Sequence, residues 1–499
     1  MTHELGDREV RDFQDLVELR LGLRIEDARL GFLAELLRRR LDSTGIEPAA
    51  YLNRFGSDWT RGEIGALARE LTVPETYFFR GADQFRALAE IALPGRLAVA
   101  GGRELRILSA GCASGEEAYS IAIVAREAAA GSVAPVSIQA VDINPAVIRK
   151  AQRARFTNWA FRETAPDMRA RWFRRVGAEF QLDDGIRGAV AFHERNLIDQ
   201  DPEFWRPGSW DIVFCRNTIM YFPEETARAV VARIAGALAP GGYLFLGHAE
   251  TLRGLSHDFH LRHTHGAFYY QRKERNEAAA DPSAPGTRRV SSEPPVEAES
   301  DWIADIGRAA KRIETLAGAP SPHVQAEAVS APRADYGAAL DLLARERFAE
   351  ALELVEAFPP RSLADPDILL LHATLLVHAG QLDAAERACR SLLGRDDMSA
   401  GAHHVLALCR EVGGDRRGAI EQYQIAAYLD PSFAMPHLHL GLLARRAGDA
   451  EEAQCELGMA FELLQREETG RLLLFGGGFG RDALLALCRT EPERCGEDA

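Results

Sequence analysis

The chain has no cysteine framework. Its 7 cysteines (Cys112, Cys215, Cys389, Cys409, Cys455, Cys488 and Cys495) are scattered, odd in number and never spaced as CxxC. A disulfide scaffold or structural zinc site is therefore not expected, and reduced thiols suit the cytoplasm. Long apolar runs are missing as well: nothing approaches the ~18–20 uncharged apolar residues that a membrane helix needs. The opening MTHELGDREVRDF is charged and has no apolar core of a secretory signal, so cytoplasmic residence without membrane insertion is expected. Positive charge is in deficit, with 59 Lys and Arg against 74 Asp and Glu and a net charge of −15. Nucleic-acid binders carry a basic balance or stripe, so no nucleic-acid partner is expected. The histidines at 257, 260, 263 and 265 have no cysteines or acids in ligand register, and no metal is expected.

What is present divides into segments. At 499 residues the chain is too long for one ordinary core. Residues 1–90 read as an N-terminal helical domain: in LVELRLGLRIEDARLGFLAELLRRRL the apolar residues recur at three and four. Positions 20–40 hold six arginines against three acids and end in Arg38-Arg39-Arg40. That run reads as a solvated helix face or as a docking surface for an acidic partner helix. Over 91–272, ELRILSAG, VSIQAVDIN, AVAFHERNL, WDIVFCRN and GGYLFLGH are strands interleaved with helices, and LRHTHGAFYYQRK is one closing β segment. Such alternation predicts an α/β domain with a doubly wound, mainly parallel sheet, interrupted at 156–188 by a small subdomain. Residues 273–333 are rich in Ala, Pro, Ser, Glu and Arg, the composition of a disordered linker.

Beyond the linker a 34-residue period appears. Ala351, Ala385, Ala419 and Ala453 fall at that interval, each preceded five positions earlier by Glu346, Gly380, Gly414 or Gly448. A small residue lets paired helices approach, and a glycine serves the turn between them. The spacing resembles tetratricopeptide repeats over 334–466, with a helix and tail over 467–499. There GGGFG (476–480) lacks the GK[ST] of a phosphate loop and reads as a turn opening the helix RDALLALC.

Three places carry chemistry. ILSAGCASGEEAYS (107–120) ends a strand in a small-residue turn that lets a cofactor approach the backbone, followed by an acid pair. It lacks the full GxGxxG, which disfavours a dinucleotide. Asp142, ending the second strand, is placed for ribose hydroxyls, while Asn144-Pro145 suits the cap of the next helix. Arg216 and Asn217 in WDIVFCRNTIMYF (210–222) leave a strand at the expected switch point of the sheet.

These pieces, with LTVPETYFFR (71–80), VDINPAVIRKA (141–151), ERNL (194–197) and LAPGGYLFLGHAE (238–250), resemble in order the motifs of the CheR-type chemotaxis protein methyltransferases. The resemblance covers residues 1–272. It implies a class I, Rossmann-like methyltransferase fold with S-adenosylmethionine as cofactor. It implies cofactor contacts at Thr76, Arg80, Glu117, Asp142, Asn196, Leu197, Arg216 and Asn217, with Tyr221 and Arg80 shaping the methyl-transfer pocket. Arg80 would hold either the cofactor's carboxylate or the substrate's. Pro74 stands where members often have Asn, which removes one side-chain amide. The subdomain at 156–188 matches one that grips a receptor peptide in some members, yet RRVGAEFQLDDGIRG shows no clear gripping loop. The implied activity is methylation of glutamates on the cytoplasmic helical domain of chemoreceptors, with the repeats holding a peptide or protein partner. A cofactor-binding adaptor without catalysis, or a methyltransferase for another substrate, are the competing readings.

Overall fold

A computed structural model describes residues 5–54, 59–128, 135–274, 336–345, 347–359 and 361–489. Nearly all of the 273–333 linker, Glu346 and the tail beyond 489 lie outside these residues. The chain divides into two compact units, 1–286 and 287–499.

The first unit begins with α1 (Asp7–Leu21), α2 (Leu30–Thr44), α3 (Pro48–Asn53) and α4 (Trp59–Leu71). Phe13, Val17 and Leu21 of α1 face Leu33, Leu37 and Leu41 of α2, a three-to-four spacing that puts one apolar stripe inside. Gly22 ends α1 with φ +75°, and a Cβ there would stand 2.7 Å from Ile198 Cγ2; only glycine fits both demands. The arginine run is not a free cationic face. Arg40 forms two hydrogen bonds to Glu63 (2.6 and 2.8 Å), a carboxylate 5% exposed that also accepts from Tyr51 Oη. Arg38 pairs with Glu35 and Arg39 with Glu70. Arg40 thus ties α2 to α4, while Arg38 and Arg39 remain exposed on the face that reads either as solvated or as a docking surface.

After α5 (Ala82–Ala87), a π turn (Leu88–Ala92) and α6 (Leu93–Ala100) comes a seven-stranded sheet. Its strands are β1 (Leu105–Ala110), β2 (Val136–Asp142), β6 (Val190–Glu194), β7 (Trp210–Cys215), β8 (Leu238–Leu246), β9 (Phe259–Thr264) and β10 (Ala267–Arg272), and the order is β6-β2-β1-β7-β8-β10-β9. β6 through β8 are parallel; β10 runs antiparallel to both neighbours. β7 is buried at every position, as a central parallel strand covered on both faces must be. The closing β segment is a hairpin rather than one strand. Thr264 pairs with Ala267, and His265 and Gly266 between them have φ +56° and +74°, the left-handed pair of a tight turn matched to strand twist. The chain leaves β1 for β2 on one side and later enters β7 on the other, so a crevice opens at the carboxyl ends of β1 and β7. Helices α7 (Glu116–Ala128), α8 (Pro145–Arg153) and α9 (Glu224–Ala237) follow strands of this sheet. Asn144 caps α8, accepting from Ala146 N at 3.0 Å, with Pro145 at its first position.

Between α8 and β6 the chain builds a three-stranded antiparallel sheet from β3 (Arg155–Phe156), β4 (Phe173–Val176) and β5 (Glu179–Leu182). Phe78 enters it from outside: its ring lies 4.8 Å from those of Phe156 and Phe173 and 5.2 Å from Phe161.

The second unit stacks helix pairs of the tetratricopeptide type: 336–344 with 348–356, 366–378 with 382–393, 400–412 with 416–429, and 434–447 with 450–464. Gly380, Gly414 and Gly448 lie between paired helices with φ +71°, +84° and +80°. The in-phase alanines are buried where the pairs meet. A short helix, Thr469–Phe475, and a last one, Arg481–Arg489, follow, joined through Gly477 and Gly478 at positive φ.

Candidate functional site

A cavity of about 340 Å³ lies in the crevice at the carboxyl ends of β1 and β7, closed on its other side by the N-terminal helices. Local geometry brings each side chain to it. At its base Ser109 of β1 donates to Glu117 of α7 (2.8 Å), and Glu117 faces the Arg216 guanidinium at 3.6 Å. Burial raises the pKa of Glu117 above the ordinary carboxylate value, with Arg216 and Ser109 opposing the rise. The Arg216 side chain is 3% exposed. Its Nη2 donates to the Arg80 carbonyl at 2.5 Å, while Nε and Nη1 have no hydrogen-bond partner. A buried guanidinium with two nitrogens that make no hydrogen bond, one of them facing Glu117, suits a further anion in the cavity.

Asp142, at the end of β2, accepts from Ala113 N (3.0 Å) and Asn144 N (2.8 Å). Burial raises its pKa and these two bonds oppose the rise; each oxygen keeps lone-pair capacity for a hydroxyl. Gly111 makes the wall thin here. It has φ +79°, and a Cβ would collide with Thr218 Oγ1.

Arg80 is aimed by its two preceding aromatics. Phe78 is sunk in the subdomain core, and Phe79 turns the chain at φ +57° with its N–H on Ser120 Oγ (3.0 Å). A non-glycine residue at such a φ is held there by its surroundings. Arg80 itself is half-buried and lies over the Tyr77 ring at 5.7 Å. Thr76 lines the same wall. Across the cavity stand Asn196 and Leu197; the Asn196 amide donates to Arg20 O (2.9 Å) and accepts from Ile198 N (3.2 Å). Its side chain is engaged in joining α1 to the sheet. Asn217, with φ +52°, and Tyr221, 42% exposed, complete the mouth. All nine residues that the resemblance implies thus line one cavity.

Two contributions escape sequence reasoning. One is Glu250, which is 3% exposed and accepts from the backbone N–H groups of Asn217, Thr218, Met220 and Gly247 at 2.6 to 3.2 Å. It fixes the loop carrying Asn217 and Tyr221; an acid closing the strand-end stretch GHAE is the only sequence signal. The other is Leu23-Arg24-Ile25, which walls the cavity, with Arg24 N donating to Tyr221 O at 2.8 Å. Cys112 and Cys215 are buried beside the site, and burial pushes both thiols up. His248, exposed near Arg216 and Arg80, has its pKa lowered by partial desolvation and by those two cations.

Comparison with known proteins decides what the cavity belongs to. The SAM-binding domain of the CheR methyltransferases matches residues 74–268. A probable biofilm formation methyltransferase WspC from Pseudomonas putida is 30% identical over 453 residues, covering 89% of this chain and 96% of its own. The chain belongs to the CheR methyltransferase family. Chemotaxis protein methyltransferase 2 of Vibrio cholerae is 31% identical over 261 residues, 52% of this chain and 90% of its own. A solved tetratricopeptide protein, YrrB, described as having an unusual peptide-binding site, aligns at 20% identity and TM-score 0.23, covering 28% of this chain and 70% of its own. As a CheR-family methyltransferase the chain uses S-adenosylmethionine as methyl donor. The cavity fits that molecule on chemical grounds: the buried Arg216 cation for its carboxylate, Glu117 for its ammonium and Asp142 for hydroxyls. Among the described residues no helix is long and apolar enough to cross a membrane.

Proposed function

We propose that the chain methylates glutamate side chains on the cytoplasmic helical domain of chemoreceptors. The observation that carries this is the buried Glu117–Arg216 pair opening into one cavity with Asp142 and the half-buried Arg80, in a chain of this family. When bound, the cofactor supplies an electrophilic methyl, which a glutamate carboxylate, already ionised near neutral pH, takes up without a proton having to move. Arg216 binds the cofactor's carboxylate and Glu117 its ammonium. Asp142 receives ribose hydroxyls beside its two backbone partners, and Asn196 and Leu197 border the adenine. Thr76 and Asn217 close the two walls. Arg80, more exposed than Arg216 and nearer the mouth, orients the incoming carboxylate, and Tyr221 shields the transfer line from water. Alignment of this kind is worth several kcal/mol of barrier. The stacked helix pairs are read as a module that binds a protein segment.

The test is transfer of labelled methyl groups to membranes holding the organism's own chemoreceptors. Label released by alkali, and lost in Arg80→Ala, marks a glutamyl ester. Cofactor binding without transfer to any receptor would sink the substrate, and no cofactor binding would sink the enzyme.

A further inference from the structure

The first helices of the four pairs (336–344, 366–378, 400–412 and 434–447) share an occupant that the repeat period does not foretell. Helix Thr469–Phe475 turns back from the last pair and touches helices 336–344 and 366–378 at the far end of the stack. Phe475 covers Gly401, where a Cβ would stand 3.0 Å from its ring. It packs edge-on to His404 at 5.4 Å and against Phe433 at 5.0 Å. Arg471, 6% exposed, reaches Asp430 at 2.9 Å and Glu467 at 3.3 Å. Leu472 and Leu474 are buried with it.

Two features set this apart from a helix that merely closes the last repeat. It lies against the first three of these helices and, through Phe475, against Phe433 just ahead of the fourth, on the face where repeat solenoids receive extended ligands. Phe475 is one of the rings that bury His404, both of whose ring nitrogens are without a hydrogen-bond partner. An unsatisfied buried polar group is uncommon in a face closed for good, and it is freed when the segment leaves. Asp430 and Glu467 are both buried, so whatever covers them must bring a cation.

We propose that this face is a binding site for a protein segment of the form Arg-x-x-Leu-Phe, and that residues 469–475 are its resident occupant, displaced when such a partner docks. This rests on the reading of the repeats as a partner-binding module and is independent of the methyl-transfer chemistry. In Glu467, which accepts from Ala434 N at 2.8 Å and so caps helix 434–447, the resident segment keeps an anchor that stays with the stack.

The test uses the full chain and a fluorescent peptide of residues 468–476. Truncating a buried Phe weakens the resident far more than the peptide, so Phe475→Ala is expected to bind the peptide about tenfold or more tighter than the unaltered chain. A peptide carrying R471E is expected not to bind. A second measurement needs no variant: on the unaltered chain, saturating peptide speeds amide exchange at 472–476 and leaves helix 400–412 protected. Equal affinity for both chains, or unchanged exchange at saturation, overturns the proposal. If Phe475→Ala fails to fold, the exchange result decides. A dimer of the unaltered chain that the peptide dissolves would replace the foreign partner by a second copy and overturn that part. Receptor methylation indifferent to deletion of 287–499 would count against the module reading alone and leave the peptide result standing.

Discussion

Single side chains set the chemistry of the cavity, and their protonation follows burial. Glu117 and Asp142 both have pKa values raised by burial, so each favours the folded state at low pH and loses that contribution as pH rises through its folded value. Binding of a cationic sulfonium and its ammonium needs them ionised. Cofactor affinity is therefore expected to fall on acidification at a pH above the ordinary 4.5 of a glutamate, and calorimetric titration from neutral into acid pH checks it. Asp142→Ala removes acceptors for ribose hydroxyls, and hydrogen bonds to a charged group are worth ~1.5–3 kcal/mol. The dissociation constant of the cofactor is expected to rise by about ten- to a hundredfold. Glu411, in the second unit, behaves oppositely. Burial alone would raise it, but His439, Tyr423 and Arg446 bring it down to about 2. Its stabilisation is present above pH 4.5 and lost as pH falls toward 2, roughly 3 kcal/mol in all. Glu411→Gln should flatten the acid limb of the repeat unit's stability curve, read by denaturant melts at pH 7 and pH 3 (chosen about the cited shift).

At the scale of elements, the loops and helix junctions separate what is legible locally from what is not. The 34-residue period placed the hairpin glycines correctly because φ near +80° is a local demand that only glycine meets cheaply. Gly414→Ala, at φ +84° in open space, is expected to lower stability by about 1–2 kcal/mol, seen as a lower melting temperature. The arginine run shows the converse. Arg38, Arg39 and Arg40 are alike in sequence, yet only Arg40 meets a buried acid, supplied by α4 some twenty residues on. Arg40→Ala leaves the buried Glu63 only its Tyr51 bond and is expected to cost up to ~3–5 kcal/mol, against ~0–1 kcal/mol for Arg38→Ala on its exposed pair. Thermal melts of the two variants test the contrast. The hairpin of β9 and β10 reads in sequence as one β segment because its two-residue turn, His265-Gly266, lacks the usual Asn or Asp before glycine. Glu250 escaped for another reason: the four N–H groups it accepts from lie on a loop some thirty residues earlier, apart from that of its neighbour Gly247.

Across the whole molecule, every wall of the cofactor cavity comes from residues 21–222, within the first compact unit. Deleting 287–499 is therefore expected to leave cofactor affinity unchanged while altering methylation of the receptor, and paired calorimetry and transfer assays separate the two effects. An equal loss in both would refute that assignment. The sequence by itself determined the alternation of strands and helices, the repeat period and the identity of the acids and arginines at strand ends, since periodicity and turn chemistry act over a few residues. Only the tertiary structure decided which of those charges are buried, that Asn196 is engaged with Arg20, that Glu250 holds the Asn217 loop, and that residues 469–475 lie across the first helices of the stack. Burial and hydrogen-bond satisfaction depend on groups distant in the chain, and no window of sequence contains both partners.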